Sequence, residues 1–161
     1  MTPAGPLGAV EASGLGQAMR QWLWLYPGVE TVHIAGIGML FGSIAVLDLR
    51  LLGLSKGISA KSLAGHVLPW TAASFLLIVP SGLMMFAAHA SEFIASPVFV
   101  LKMGLIFTAG VNAAVFHAGV FRTAGRWGVD ATPPLAARAA AALSLLLWLS
   151  VIACGRLLAY F

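Results

Sequence analysis

The stretch ETVHIAGIGMLFGSIAVLDLRLLG, Glu30 to Gly53, reads as a membrane span and decides the fold. From Ile34 to Leu47 it holds no charged residue. At about 1.5 Å per residue, about 20 such residues cross the roughly 30 Å hydrocarbon layer. His33 stands one turn inside one border, and Asp48-Leu49-Arg50 marks the other. An ionisable side chain within a span is costly to desolvate, so His33 asks for a chemical reason.

The rest of the chain repeats this pattern. Of its 161 residues, 60% are hydrophobic and only 9% charged, whereas soluble domains carry about 25% charged residues. The charges cluster between long uncharged runs, as in a helical membrane protein whose backbone must satisfy its own hydrogen bonds. The single Cys154 excludes a disulfide framework within the chain. The formal charge of +4 rests on scattered loop residues and offers no basic patch for nucleic acid.

Spans are expected near residues 31–53, 66–89, 97–121 and 135–158, joined by LSKGISAKS, ASEFIAS and RTAGRWGVDATPP. Pro97 and the pair Pro133–Pro134 sit where helix starts accept proline. The fold class is therefore an all-α membrane protein with four transmembrane helices in an up-down bundle. Residues 1–29 form the second region: MTPAGPLGAV reads as disordered, with no positive n-region and hence no cleavable signal peptide. Beyond it, Leu15, Met19, Trp22 and Leu23 recur at helical spacing opposite Gln17 and Gln21. That predicts an amphipathic helix in the interface, ending in an aromatic belt of Trp22, Trp24 and Tyr26. Residues 30–161 form the transmembrane domain.

Orientation follows from lysine and arginine. Of the nine such residues, Arg50, Lys56, Lys61, Arg122 and Arg126 belong to the first and third connections and Arg138 lies on the same side just inside the fourth span, leaving Arg20, Lys102 and Arg156 for the other side. The bias places those connections in the cytoplasm and both termini in the periplasm of a bacterial inner membrane.

All four histidines fall near span ends. His33 and His89 belong to the outer side, and His66 and His117 to the inner side. Since consecutive antiparallel helices tend to be neighbours, each side can bring two imidazoles together. Two facing imidazoles are what a bis-histidine haem b requires, so one or two haems are expected. Small residues leave room for a macrocycle: Gly110, Ala113 and Ala114 near His117, Gly82 near His89, and Gly36 near His33. They serve plain helix packing equally well. Glu30, three residues before His33, can accept the second ring N–H. A copper reading uses Met84, Met85 and His89, with His33 and Met103 nearby, because thioether and imidazole suit Cu(I).

Other polar residues have simpler expectations. Asn112 hydrogen-bonds across the bundle, Asp48 pairs with Arg50 or Arg122, and Lys102 snorkels outward. Trp70 belongs to an aromatic belt or stacks near a cofactor at His66.

Three motifs carry a resemblance over roughly residues 22–122: YPGVETVHIAGIGMLFGS with LDLRLLG, LPWTAASFLLIVPSGLMMF, and FVLKMGLIFTAGVNAAVFH. They resemble a family of small, uncharacterised four-helix bacterial inner-membrane proteins. More distantly, the His-x-x-Gly start of the first span and the four-helix layout resemble the membrane domain of copper resistance protein D and di-haem b-type cytochromes. The cytochrome resemblance implies axial ligation by His33, His66, His89 and His117. It departs from that pattern in span two, which would serve both haems, and in span four, which has no histidine. The function expected is a b-type cytochrome, an electron-transfer component between a quinol or periplasmic redox donor and a partner. A copper-handling membrane protein and a non-catalytic subunit of a membrane complex are the alternatives. The bilayer is one partner, and a second copy is another, since four helices alone bury little cofactor surface.

Overall fold

The computed structural model describes residues 5–127, 129–158 and 160. In chain order they form α1 (Pro6–Glu11), α2 (Gly14–Gln21), α3 (Leu25–Leu52), α4 (Ala60–Ala88), α5 (Ala90–Ala95) and α6 (Pro97–Ala118). A 3₁₀ turn at Val120–Arg126 leads to α7 (Leu135–Leu157). Four of these, α3, α4, α6 and α7, are long and apolar enough to cross a membrane. The protein is thus an all-α, multi-pass membrane protein, as the apolar runs predicted.

Helix ends differ from the sequence reading where capping outweighs hydropathy. Helix α4 begins six residues before His66, because Ser59 caps it by accepting a hydrogen bond from the Ser62 amide. Pro69 therefore lies inside α4, together with Pro80. Ser96 caps α6 in the same way through the Phe99 amide.

The N-terminal region is also more structured than its composition suggests. Pro6 sits in the first turn of α1, where its missing N–H costs nothing. Residues 1–4 lie outside the described residues. Helix α2 is docked on the bundle. Its Met19 is buried, and Arg20 donates to the Ala88 carbonyl at the end of α4 (2.7 Å) and to the Glu11 carbonyl (2.7 Å). Glu11 accepts the Ser91 amide at 2.6 Å, which holds its carboxyl below the usual range. Trp22 and Trp24 stay exposed, as an aromatic belt requires.

The bundle is a chain of pairwise contacts rather than a closed ring. Helix α3 packs along α4 and also against α7, and α7 packs along α6. Among the described residues, the α4 and α6 backbones do not come close although these are consecutive spans, and the two helices meet through the Phe86–Phe99 stack at one end. The α3–α4 seam is tight because Gly36 lies against Ile78: a Cβ there would come within 2.8 Å of the Ile78 side chain. The apolar core lies at the basic end of the bundle, where Leu47, Leu51, Ala60, Ala64, Phe116, Ala137 and Ala141 meet. The alanines let α4 and α7 come close to their neighbours. At the opposite end, Phe86, Phe93 and Phe99 stack with centroids 5.3–6.3 Å apart and tie α4, α5 and α6 together.

Candidate functional site

Beside that core, toward the middle of the bundle, α3, α4, α6 and α7 enclose a cavity of about 160 Å³. Its polar lining is Asp48 and Ser43 from α3, Thr71 from α4, Asn112 and His117 from α6, and Ser144 from α7. No lysine or arginine lines it. Small side chains at Ala109, Gly110 and Ala113 form the α6 wall, and the gap between α4 and α6 opens beside them.

Asp48 is the unusual member. It is 6% exposed, and its Oδ2 has no hydrogen-bond partner. The expected pairing with Arg50 or Arg122 is absent among the described residues, where the one ion pair is His89–Glu92 at 3.2 Å. Arg50, 3% exposed, borders a separate recess with Val46, Leu49 and Ile58. Two residues apart on a helix, Asp48 and Arg50 cannot face each other. Arg50 instead donates to three carbonyls, Ile58 (2.5 Å), Val129 (2.9 Å) and Lys56 (3.3 Å), and so binds two connections at the basic end.

Hydroxyls recur along the α3–α4 seam in two groups, one beside this cavity and one at His33. Ser43 and Thr71 oxygens lie 2.7 Å apart. Ser74, fully buried, donates to the Thr71 carbonyl at 2.6 Å. Farther along, Ser81 donates to the Leu77 carbonyl, and its oxygen lies 2.9 Å from His33 Nδ1. The Ser81 proton is spent on Leu77, so His33 Nδ1–H is the donor and Nε2 keeps its lone pair. Gly82 makes room for the ring; a Cβ there would lie 3.2 Å from His33 Cε1. Ser81 thereby takes the role expected of Glu30, which is exposed.

The other histidines have separate surroundings. His89 ends α4, with Nδ1 on Glu92 and its ring edge-on to Tyr26 at 6.1 Å and Phe93 at 6.5 Å. His33 meets α4 at Ser81, eight residues from His89 and so about 12 Å away along the helix. His66 is exposed, with Nδ1 on the Ser62 carbonyl at 3.0 Å. His117 lines the cavity edge-on to Phe116 and Phe121. Neither histidine pair shares a set of neighbours. The cavity beside His117 is also smaller than the roughly 300 Å³ at which ligand pockets begin. As placed, the two imidazoles of each pair do not stand ring to ring. Among the described residues, no three His, Cys, Asp or Glu side chains converge as a metal site. Met84 and Met85 are half-buried on α4, and Met103 is exposed on α6.

Two further expectations meet different outcomes. Asn112 does bond across the bundle, its Nδ2 donating to the Ala140 carbonyl at 3.0 Å. Lys102 does not snorkel outward: its Nζ lies over Gly155 of α7, inside the bundle. Trp70 is exposed on α4.

Residues 9–161 match the family described as "Family of unknown function (DUF6644)". The chain belongs to that family. No curated protein and no solved structure matches it. In this DUF6644 protein the residue that sequence reading undervalued is Asp48. The available signal was its spacing: positions 44, 45, 51 and 52 hold no cation that could neutralise it on its own helix.

Proposed function

We propose that this DUF6644 protein passes protons or a small cation through its interior, with Asp48 as the charged station near the basic end. One observation carries this reading: a seam of hydroxyls bounded by an ionisable group at each end, Asp48 in the cavity and His33 on Ser81. Ionisable groups within spans are rare because they are costly. Where they face a bundle interior, they mark ion or proton pathways. Hydroxyls bonded to helix carbonyls are ordinary in membrane helices. Hydroxyls along the seam with a buried carboxyl oxygen left unpartnered at one end are not explained by packing. On this reading the basic connections lie in the cytoplasm, so Asp48 is reached from that side.

The test is ion flux. The purified protein, reconstituted in liposomes with an interior pH dye and a clamped potential, is expected to pass protons or Na⁺ faster than protein-free vesicles. Asp48→Asn is expected to lose that flux. Flux equal to empty liposomes, or unchanged in Asp48→Asn, would sink the reading.

The cytochrome reading keeps one supporting observation. His33, His66 and His89 each engage Nδ1, with Ser81, a carbonyl or a carboxylate, which leaves Nε2 free as a metal ligand. Since the pairs do not stand ring to ring within one chain, this reading has the haem draw imidazoles from two copies. A red protein with a Soret band that shifts on dithionite supports this reading. A colourless protein from haem-replete cells, without a pyridine haemochrome, removes it. Copper detected by elemental analysis, and lost in Met85→Ala, would support the copper alternative.

A further inference from the structure

We infer that the cavity around Asp48 is a binding site for a small monovalent metal cation on hard oxygen donors, with Na⁺ the best match. The inference rests on the reading of Asp48 as an ionised station, and its chemistry comes from how the lining spends its protons. Asn112 donates one of its two amide N–H groups to Ala140 on α7, and its side-chain carbonyl oxygen is an acceptor. Ser43 and Thr71 share a hydrogen bond at 2.7 Å, so one proton joins the two hydroxyls and the other goes to a helix carbonyl, that of Leu40 or Val67, which leaves lone pairs but no spare hydroxyl proton. Asp48 Oδ2, in a side chain more than nine-tenths buried, accepts nothing. Ser144 lies beside the carboxyl as a side-chain partner. The lining thus offers several oxygen acceptors, and His117 and Trp148 are its ring N–H residues.

An acceptor-rich cavity without lysine or arginine is complemented by a cation. Carboxylate, hydroxyl and amide oxygens are hard ligands and select hard ions over Cu(I) or Zn²⁺. A single carboxylate balances one charge, whereas a divalent ion would leave a net positive charge in low dielectric. At about 160 Å³ the space holds a cation with several waters, each occupying about 30 Å³.

The experiment uses the full chain in detergent at pH 8, with NaCl, LiCl or KCl replacing choline chloride at constant ionic strength. A ligand that binds only the folded state raises the unfolding midpoint saturably. Na⁺ is expected to raise it, and Asp48→Asn to lose the response. Ser144→Ala and Thr71→Val keep the charge and should shift the Na⁺ titration to higher concentration. Binding of ²²Na⁺ in the same detergent reads the site directly, and either charge-retaining variant carries the test if Asp48→Asn fails to fold. If no cation acts above choline, or if Asp48→Asn responds like the parent, the inference falls. Proton flux in liposomes without Na⁺ binding would leave the transport reading standing and remove this one. Na⁺ binding without flux would do the reverse.

Discussion

The two halves of the bundle interior treat polar groups differently. In the N-terminal half His33 is seated on Ser81 and fitted against Gly82. In the basic half a more deeply buried acidic side chain faces a cavity with one oxygen unpartnered. A buried polar group with its partners in place is part of the packing. One without them carries a desolvation cost of about 1–3 kcal/mol, more when charged, that packing alone does not repay. On the proposed reading the ion rests in the basic half, and His33, with its Nδ1 partner in place, is the far end of the pathway.

The largest effect is expected at the floor of the basic half. Arg50→Leu removes donors from three carbonyls and should cost about 3 kcal/mol or more. Thermal unfolding in detergent, together with faster protease cleavage between residues 53 and 59, checks it. Next comes the seam. Gly36→Val forces a side chain into Ile78 and should cost about 1–3 kcal/mol, read as a lower unfolding midpoint. A smaller loss, about 1 kcal/mol, is expected from Ser81→Ala, which strands His33 Nδ1. Asp48→Asn should break the symmetry of this series: stability in choline holds or rises, because a charged orphan becomes neutral, while ion flux is lost. A drop of several kcal/mol for Asp48→Asn would place Asp48 on the structural side and erase the contrast.

The smallest effect lies outside the membrane. The Ser91 amide lowers the folded-state pKa of the Glu11 carboxyl, so its contribution is present above the ordinary Glu range. It fades as pH falls through the lowered value. Trp22 and Trp24 emission should report looser docking of α2 in acid, and Glu11→Gln should make that emission independent of pH.

Much of this architecture was legible in the residues. Uncharged runs long enough to span lipid fix four helices, and lysines and arginines mark one end. What hydropathy misses is direction around each helix. His66 sits at a span border like His117, yet one faces outward and the other lines the cavity. Only packing decides that, and the α4–α6 gap departs from the rule that consecutive helices are neighbours. Asp48 and Arg50 looked like partners because they are close in sequence, but helix geometry sends them to different recesses. The N-terminal helices hid for another reason. Their hold on the bundle is made of carbonyls and amides at Ala88 and Ser91, which no side-chain pattern announces.

The gap between α4 and α6 also bears on how the chain comes together. Spans α3 and α4 form one hairpin and α6 and α7 another, each held by neighbours in sequence, and the α3–α7 contact joins first span to last. Each hairpin can insert and zip as a local unit, with little loop-closure entropy to overcome. The late step is the docking of α7 onto α3. That step also brings Ser144 to Asp48, so the cavity is completed only when the two hairpins meet.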